Sequence, residues 1–328
     1  MGNSAGARAR ADLQSIIAQW RLQGLLAGSK NRPPPIEPAS NVLADGRRAA
    51  RTRPATEWIC TIRGKTIAFA VEKKLAARIR MMLRNLETPA VPPQARLELR
   101  QTKSGDVALV RDGSERLRTS DPGQYIGGLW QTILECIHPN VRWRAGIHGA
   151  ALARNGLAVV LSAPSGSGKT TLAAGLISRG FDYLADDIVA LSEPDGLIVP
   201  CPLPLSVKPG SIDVLKSRFP ELARAPRYRT KGVTARLLVP PAAVWDAEPV
   251  GSRVLVFPRF TAGVAPQMRS LSSFEALERL LADRVWLGHP ITEERVRSFL
   301  AWLDDTPAYA VSYGTLIDAV QLVERVIT

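Results

Sequence analysis

Residues 157–180, LAVVLSAPSGSGKTTLAAGLISRG, constrain the chain more than any other stretch. The apolar run LAVVLS has the length and composition of a buried strand. It passes at once into Ala163-Pro164-Ser165-Gly166-Ser167-Gly168-Lys169-Thr170, after which Leu172, Leu176 and Ile177 repeat at helical spacing up to Gly180. A strand, a glycine-rich turn and a helix in immediate succession form the phosphate-binding unit of an α/β protein. Gly166 and Gly168 let successive backbone N–H groups converge on phosphate oxygens, and the start of the helix adds its partial positive charge. Lys169 is placed to reach β- and γ-phosphates, and the Thr170 hydroxyl to ligate Mg²⁺. Ser165, Ser167 and Thr171 complete the set of loop residues expected to face a bound ATP.

Two carboxylates follow at a short distance. FDYLADDIVAL reads as the next strand, with Asp186 and Asp187 near its end, 17 and 18 residues past Lys169. Two acids there can divide two tasks, one holding Mg²⁺ and the other taking a proton from a hydroxyl nucleophile. The spacing does not say which acid does which; Asp187 is grouped with Thr170 as a metal ligand. Upstream, AGIHGAALA and LAVVLS read as two strands joined by Arg154-Asn155-Gly156, an Asn-Gly hairpin. His148 lies on the first of them. His138 and His289, each followed by proline, read as turn residues.

The remainder sets bounds. The 328 residues are 45% hydrophobic and 22% charged, as in a water-soluble chain of about two domains. Cys60, Cys136 and Cys201 are odd in number, widely spaced and outside any metal-ligand pattern, which fits free thiols in a reducing, cytoplasmic setting. No run of about 18 apolar residues is present to cross a bilayer. The first residues match neither a secretory signal nor, with Gly6 in place of Ser or Thr, a myristoylation pattern. Of the +13 net charge, nine basic against three acidic residues fall within positions 1–56, which reads as a solvated basic tail; nucleic acid is not expected as a partner.

Residues 12–27 form an amphipathic stripe, and the proline-rich stretch to residue 56 a linker. Residues 57–140 read as a small α+β region: strands at 58–62 and 66–71 about Arg63-Gly64-Lys65, a helix from Leu75 to Leu86, strands near 95–101 and 106–110, and a helix at 123–137. Residues 141–328 read as the phosphate-binding domain. After residue 200 the pattern loosens into proline-rich segments, in which Lys208, Arg227, Arg229, Lys231 and Arg236 read as a solvated basic surface in preference to one that steadies phosphates or an acidic peptide. Further on come a strand near 254–257, helices near 273–282 and 292–304, a strand near 308–313 and a last helix.

In combination, Ile147-His148-Gly149, Ser165-Gly166-Ser167-Gly168-Lys169-Thr170, Arg179-Gly180 and Leu184-Ala185-Asp186-Asp187 resemble the HPr kinase/phosphorylase family, whose fold is related to that of phosphoenolpyruvate carboxykinase. The resemblance implies Mg²⁺- and ATP-dependent phosphorylation of a serine hydroxyl on a peptide or protein, with His148, Lys169, Asp186 and Asp187 at catalytic positions, and a homo-oligomer. The family's Leu-Glu-Ile-Arg-Gly signature is missing; CPLPLSVKPGSIDVLKSRFPEL stands in that region. The chain therefore looks more like the divergent members found with peptide-maturation genes, including lasso peptide kinases. ADLQSIIAQWRLQGLL is similar to the closing helix of PqqD-like peptide-recognition domains. A small-molecule kinase and a nucleotide-gated binding module are the competing readings. A transporter or motor ATPase is disfavoured by the lack of an LSGGQ-like segment and of a later acidic strand.

Overall fold

A computed structural model describes residues 55–230, 232–287 and 291–327. The expected helix at 12–27, nearly all of the linker, Lys231 and His289 lie outside the described residues. The chain is a mixed α/β structure, and among the described residues no helix is long and apolar enough to cross a membrane.

The first six strands, β1 (Ala55–Ile62), β2 (Lys65–Glu72), β3 (Glu87–Thr88), β4 (Ala95–Gln101), β5 (Val107–Arg111) and β6 (Ser114–Thr119), form one sheet in the order β3-β1-β2-β4-β5-β6. Helices α1 (Lys73–Leu83) and α2 (Pro122–Ile137) accompany it. Strand β1 begins three residues earlier than the sequence suggests, and its hairpin turns on Arg63-Gly64 alone, both at positive φ, so that Lys65 already pairs with Ile62. Strand β6, SERLRT, was not expected. It is an edge strand with a single apolar residue, Leu117, and so gives no apolar alternation to read.

The second sheet has ten strands: β7 (Arg142–Ile147), β8 (Ala150–Arg154), β9 (Leu157–Leu161), β10 (Asp182–Asp186), β11 (Val189–Glu193), β12 (Leu197–Val199), then β16 (Val250–Phe260), β17 (Gln267–Leu271), β18 (Val285–Trp286) and β19 (Ala308–Tyr313). Between them β13 (Leu205–Val207), β14 (Arg227–Thr230) and β15 (Val233–Leu238) form a small third sheet. The helices of this half are α3 (Lys169–Ile177), α4 (Pro209–Leu215), α5 (Ser273–Asp283), α6 (Glu293–Asp304) and α7 (Leu316–Ile327). The third sheet and α4 occupy the proline-rich stretch that sequence periodicity left irregular. Their elements are three to seven residues long and separated by prolines, too short to show a period.

Two expectations need correction, and both corrections matter for function. AGIHGAALA is two strands rather than one, broken at His148-Gly149, and FDYLADDIVAL is likewise broken at Asp187-Ile188. Strand β7 pairs with β11, Ile147 opposite Val189, while β8 pairs with β10, Ala150 opposite Asp186. The two interruptions therefore face each other. At one, Asp187 adopts a left-handed φ of 69°. At the other, the backbone of Gly149 passes so close to β9 that a Cβ there would lie 2.4 Å from the Leu161 carbonyl oxygen. His148 loses its ladder partners, but its N–H donates to the Arg284 carbonyl at 3.0 Å, and its own carbonyl accepts from the Ser162 hydroxyl at 3.3 Å. Both groups stay satisfied, as buried backbone must.

The apolar interior runs continuously from the first sheet, where Trp58 stacks on Phe69, through α2 into the second sheet at Ile147, Leu191 and Phe257. A second cluster lies around α3 and α7 on the far side of β9. Helix α3 is buried almost all round, which is why its sequence shows Leu, Ala and Ile with little polar relief.

Candidate active site

Three separate chain segments meet at the paired strand breaks. The first is the glycine-rich loop. Strand β9 carries the chain into the sheet interior, Ser162 extends it by donating to the Val256 carbonyl at 3.0 Å, and the loop closes on itself where the Ser167 N–H and hydroxyl both donate to the Pro164 carbonyl. Helix α3 begins at Lys169, with Gly168 as its cap at a φ of 96°. A side chain at Gly168 would be strained in that conformation and would also strike the Tyr313 hydroxyl, 2.5 Å from its Cβ. The first turn of a helix has N–H groups without intrahelical partners, so the start of α3 favours an anion.

Lys169 is 9% exposed. Its ammonium donates to the Ala163 carbonyl and lies 3.7 Å from Asp283 Oδ2. Burial pulls its pKa below the ordinary lysine value, against the opposing pull of Asp283, Asp186 and Asp187. A desolvated cation beside a glycine-rich loop and a helix N-terminus is suited to a polyphosphate.

The second segment brings the two acids, and they occupy different surroundings. Asp186 is 3% exposed and accepts a hydrogen bond from the Thr170 hydroxyl at 3.3 Å. Burial, and then the charge of Asp187, push its pKa up to about 7, against the pull of the Asp187 N–H, Lys169 and Thr170. Asp187 opens into the cleft, its side chain 66% exposed, with Oδ1 3.8 Å from His148 Nε2. Desolvation would raise its pKa, but His148, Lys169 and Arg284 outweigh that and leave it below the ordinary carboxylate value. Thr170 thus meets Asp186, whereas the sequence grouped it with Asp187. A hydroxyl beside a carboxylate is a hard-oxygen donor set of the kind Mg²⁺ takes together with phosphate oxygens.

The third segment was not found from sequence. Helix α5 ends at Asp283, and the chain leaves it extended through Arg284 into β18, which pairs with β7. This exit delivers Asp283 beneath His148, with Nδ1 2.8 Å from Asp283 Oδ1. A signal existed in the sequence: an acid in the last turn of a helix opposes the helix dipole, so Asp283 sits where local electrostatics disfavours it.

The loop residues named from sequence separate by position. Ser165 accepts from Lys208 Nζ at 3.0 Å, and the Thr171 hydroxyl pairs with Ser211 of α4 at 2.6 Å. The small third sheet and α4 thereby brace the loop, and Lys208 belongs to the site rather than to a solvated surface. Of the other histidines, half-buried His138 is pulled down to about 4 by desolvation and Arg63, and does not line the cleft.

These groups open into one cleft of about 1270 Å³. Part of the cleft is a mainly apolar arm lined by Ile126, Gly127 and Leu134 of α2, with Gln124 and Gln131 beside them, and by Trp143 and Trp286 of the second sheet.

No family model matches the chain. The HPr kinase/phosphorylase of Lactobacillus acidophilus is 35% identical to it over 79 residues, which is 24% of this chain and 24% of that protein. The chain therefore matches about a quarter of that relative's length. The solved HPr(Ser) kinase/phosphatase from Coxiella burnetii overlays 55% of this chain and 95% of its own, at 11% identity and a TM-score of 0.25, a likeness too loose to carry an argument. Over that quarter of its length the chain is similar in sequence to an HPr kinase/phosphorylase.

Proposed function

We propose that the chain transfers the γ-phosphoryl group of ATP to a serine hydroxyl of a peptide or protein. One observation carries the reading: Lys169 and Thr170 of the loop, the Asp186–Asp187 pair and His148 come from three separated stretches and line a single cleft. In the proposed site the P-loop amides and Lys169 hold the triphosphate, and Lys208 closes over the loop from the residue that precedes α4. Thr170 and Asp186 hold Mg²⁺, which when bound would neutralise charge on the phosphates. Asp187, exposed to the cleft and depressed in pKa, accepts the acceptor's proton, with His148 fixing its direction. Catalysis by such a site is mostly positioning and charge neutralisation.

The apolar arm favours a peptide over a sugar. The cleft exceeds the roughly 300–1,000 Å³ of a small-molecule site, and Trp130, Trp143, Trp286 and aliphatic side chains make much of its wall, with Gln124 and Gln131 among them. A polar polyol gains little from such walls, whereas a peptide can bury a side chain next to its serine. A ribosomally made precursor peptide, of the lasso type for instance, fits this description.

The test is a screen with γ-labelled ATP against serine-containing peptides and, separately, simple sugars. Label in peptides, lost in Lys169→Ala, supports the reading. Label only in sugars overturns the acceptor class, and nucleotide binding without labelled product would leave a nucleotide-gated binding module.

A further inference from the structure

Asp283 lies on a helix that shares no motif with the loop or the acid pair, yet it touches both halves of the site. Its side chain is 7% exposed. Oδ1 takes the His148 Nδ1 at 2.8 Å, while Oδ2, 3.7 Å from the Lys169 ammonium, is buried without a hydrogen bond. A buried carboxylate oxygen left short of a donor costs on the order of 1–3 kcal/mol, so the arrangement is a poor way to hold a helix end. Its geometry suits a different purpose.

We propose that Asp283 is a positioning residue that orients the His148 ring and holds Lys169 aside until phosphate arrives. The proposal rests on the phosphoryl-transfer reading above. With Nδ1 bound to Asp283, the ring is fixed so that Nε2 faces Asp187, the more exposed of the two acids lining the cleft. A histidine held by a carboxylate through one nitrogen keeps its rotamer and places the proton on that nitrogen. The second oxygen supplies the counter-charge that allows Lys169 to stay protonated in a buried place. When anionic oxygens enter the loop, Lys169 has partners to leave for, and Asp283 is then free to serve His148 alone. One side chain thereby ties the state of the phosphate-binding loop to the direction of the base.

The test uses the full chain carrying Asp283→Ala and, as an isosteric variant that keeps an oxygen acceptor, Asp283→Asn. The first readout is the nitrogen-bound ring proton of His148 by nitrogen-15 NMR, assigned against His148→Gln. We expect a slowly exchanging, downfield Nδ1–H signal in the wild type, retained in Asp283→Asn and lost in Asp283→Ala. The second is Mg-ATP affinity by calorimetry, where Asp283→Ala should bind as tightly as wild type or up to about threefold tighter, because Lys169 has lost a competing anion. The third is turnover, where kcat should fall at least about tenfold in Asp283→Ala with little change in the KM for ATP.

An unchanged His148 signal in Asp283→Ala overturns the proposal, as does a joint loss of ATP affinity and melting temperature, which would mark a purely structural role. If Asp283→Ala does not fold, the proposal stands on Asp283→Asn keeping the Nδ1–H signal and falls if that variant loses it. A wild-type chain that binds no Mg-ATP overturns the phosphoryl-transfer reading itself. That failure appears in the wild type, whereas failure of the Asp283 role appears only in the variants.

Discussion

The Thr170 hydroxyl donates to Asp186 Oδ2 at 3.3 Å, joining the first turn of the loop helix to the deeper of two adjacent acids. That contact, together with Asp187 facing His148, divides the pair between two environments. One acid is buried with its pKa raised, the other exposed with its pKa lowered. Pairs pushed apart in this way are a common mark of acid–base function.

Lys169→Ala and Asp186→Asn are each expected to lower phosphoryl transfer by at least about a hundredfold, because each removes charge aimed at the transferring group. Far-ultraviolet circular dichroism should show both variants folded. Wild-type-like transfer in either variant would contradict the roles assigned to these residues.

Stability should depend on pH through Asp186. Its folded pKa of about 7 lies above the ordinary 3.8, so its proton is held more tightly in the folded chain. That contribution is fully present below about 3.8 and is lost as pH rises through 7. Asp187 has the opposite sign: its contribution is present above the ordinary value and lost as pH falls through its depressed one. Without metal, Asp186→Asn should therefore melt several degrees above wild type near pH 8, with the gap narrowing as pH falls and closing only near pH 3.8. Mg²⁺ affinity of the wild type should fall below about pH 7, since the ion must displace the Asp186 proton. Parallel melting profiles across this range would contradict the assignment.

Gly149→Ala tests the strand break. The added methyl would meet the Leu161 carbonyl at 2.4 Å, and backbone on both sides leaves no cheap relief. A loss of about 1–3 kcal/mol in chemical denaturation is expected, with transfer reduced more than stability because His148 is the adjacent residue.

Gly127→Leu tests the apolar arm. A Cβ at Gly127 meets nothing within 4 Å, so the helix should accept leucine and gain up to about 1 kcal/mol in propensity. The larger side chain would fill part of the arm. The KM for a peptide acceptor is expected to rise at least about tenfold while the KM for ATP stays unchanged, as steady-state kinetics with each substrate varied would show.

Local features were legible from sequence. The loop from Ala163 to Thr170, the Asn155-Gly156 hairpin and the last two helices declare themselves through residues adjacent in the chain. The two strand breaks were not legible, because His148-Gly149 and Asp187-Ile188 sit inside runs whose composition is that of an unbroken strand. Only the pairing across the sheet, Ile147 with Val189 and Ala150 with Asp186, shows that two chains step aside at one level. Asp283 was missed for a related reason. Its partners are 135 and 114 residues away, and the two-residue strand that fixes its exit from α5 has no period to detect. Lys208 was misread because charge patterning cannot tell a solvated lysine from one folded back onto a loop 43 residues earlier.

The most direct measurement of the central claim is phosphorus-31 NMR of the wild-type chain with Mg-ATP and a serine peptide bearing an aromatic neighbour. The account predicts that the γ-phosphate signal declines as a phosphomonoester signal of phosphoserine and the signals of ADP grow together, and that none of this occurs with Lys169→Ala. Growth of inorganic phosphate alone, or an unchanged ATP spectrum, would contradict it.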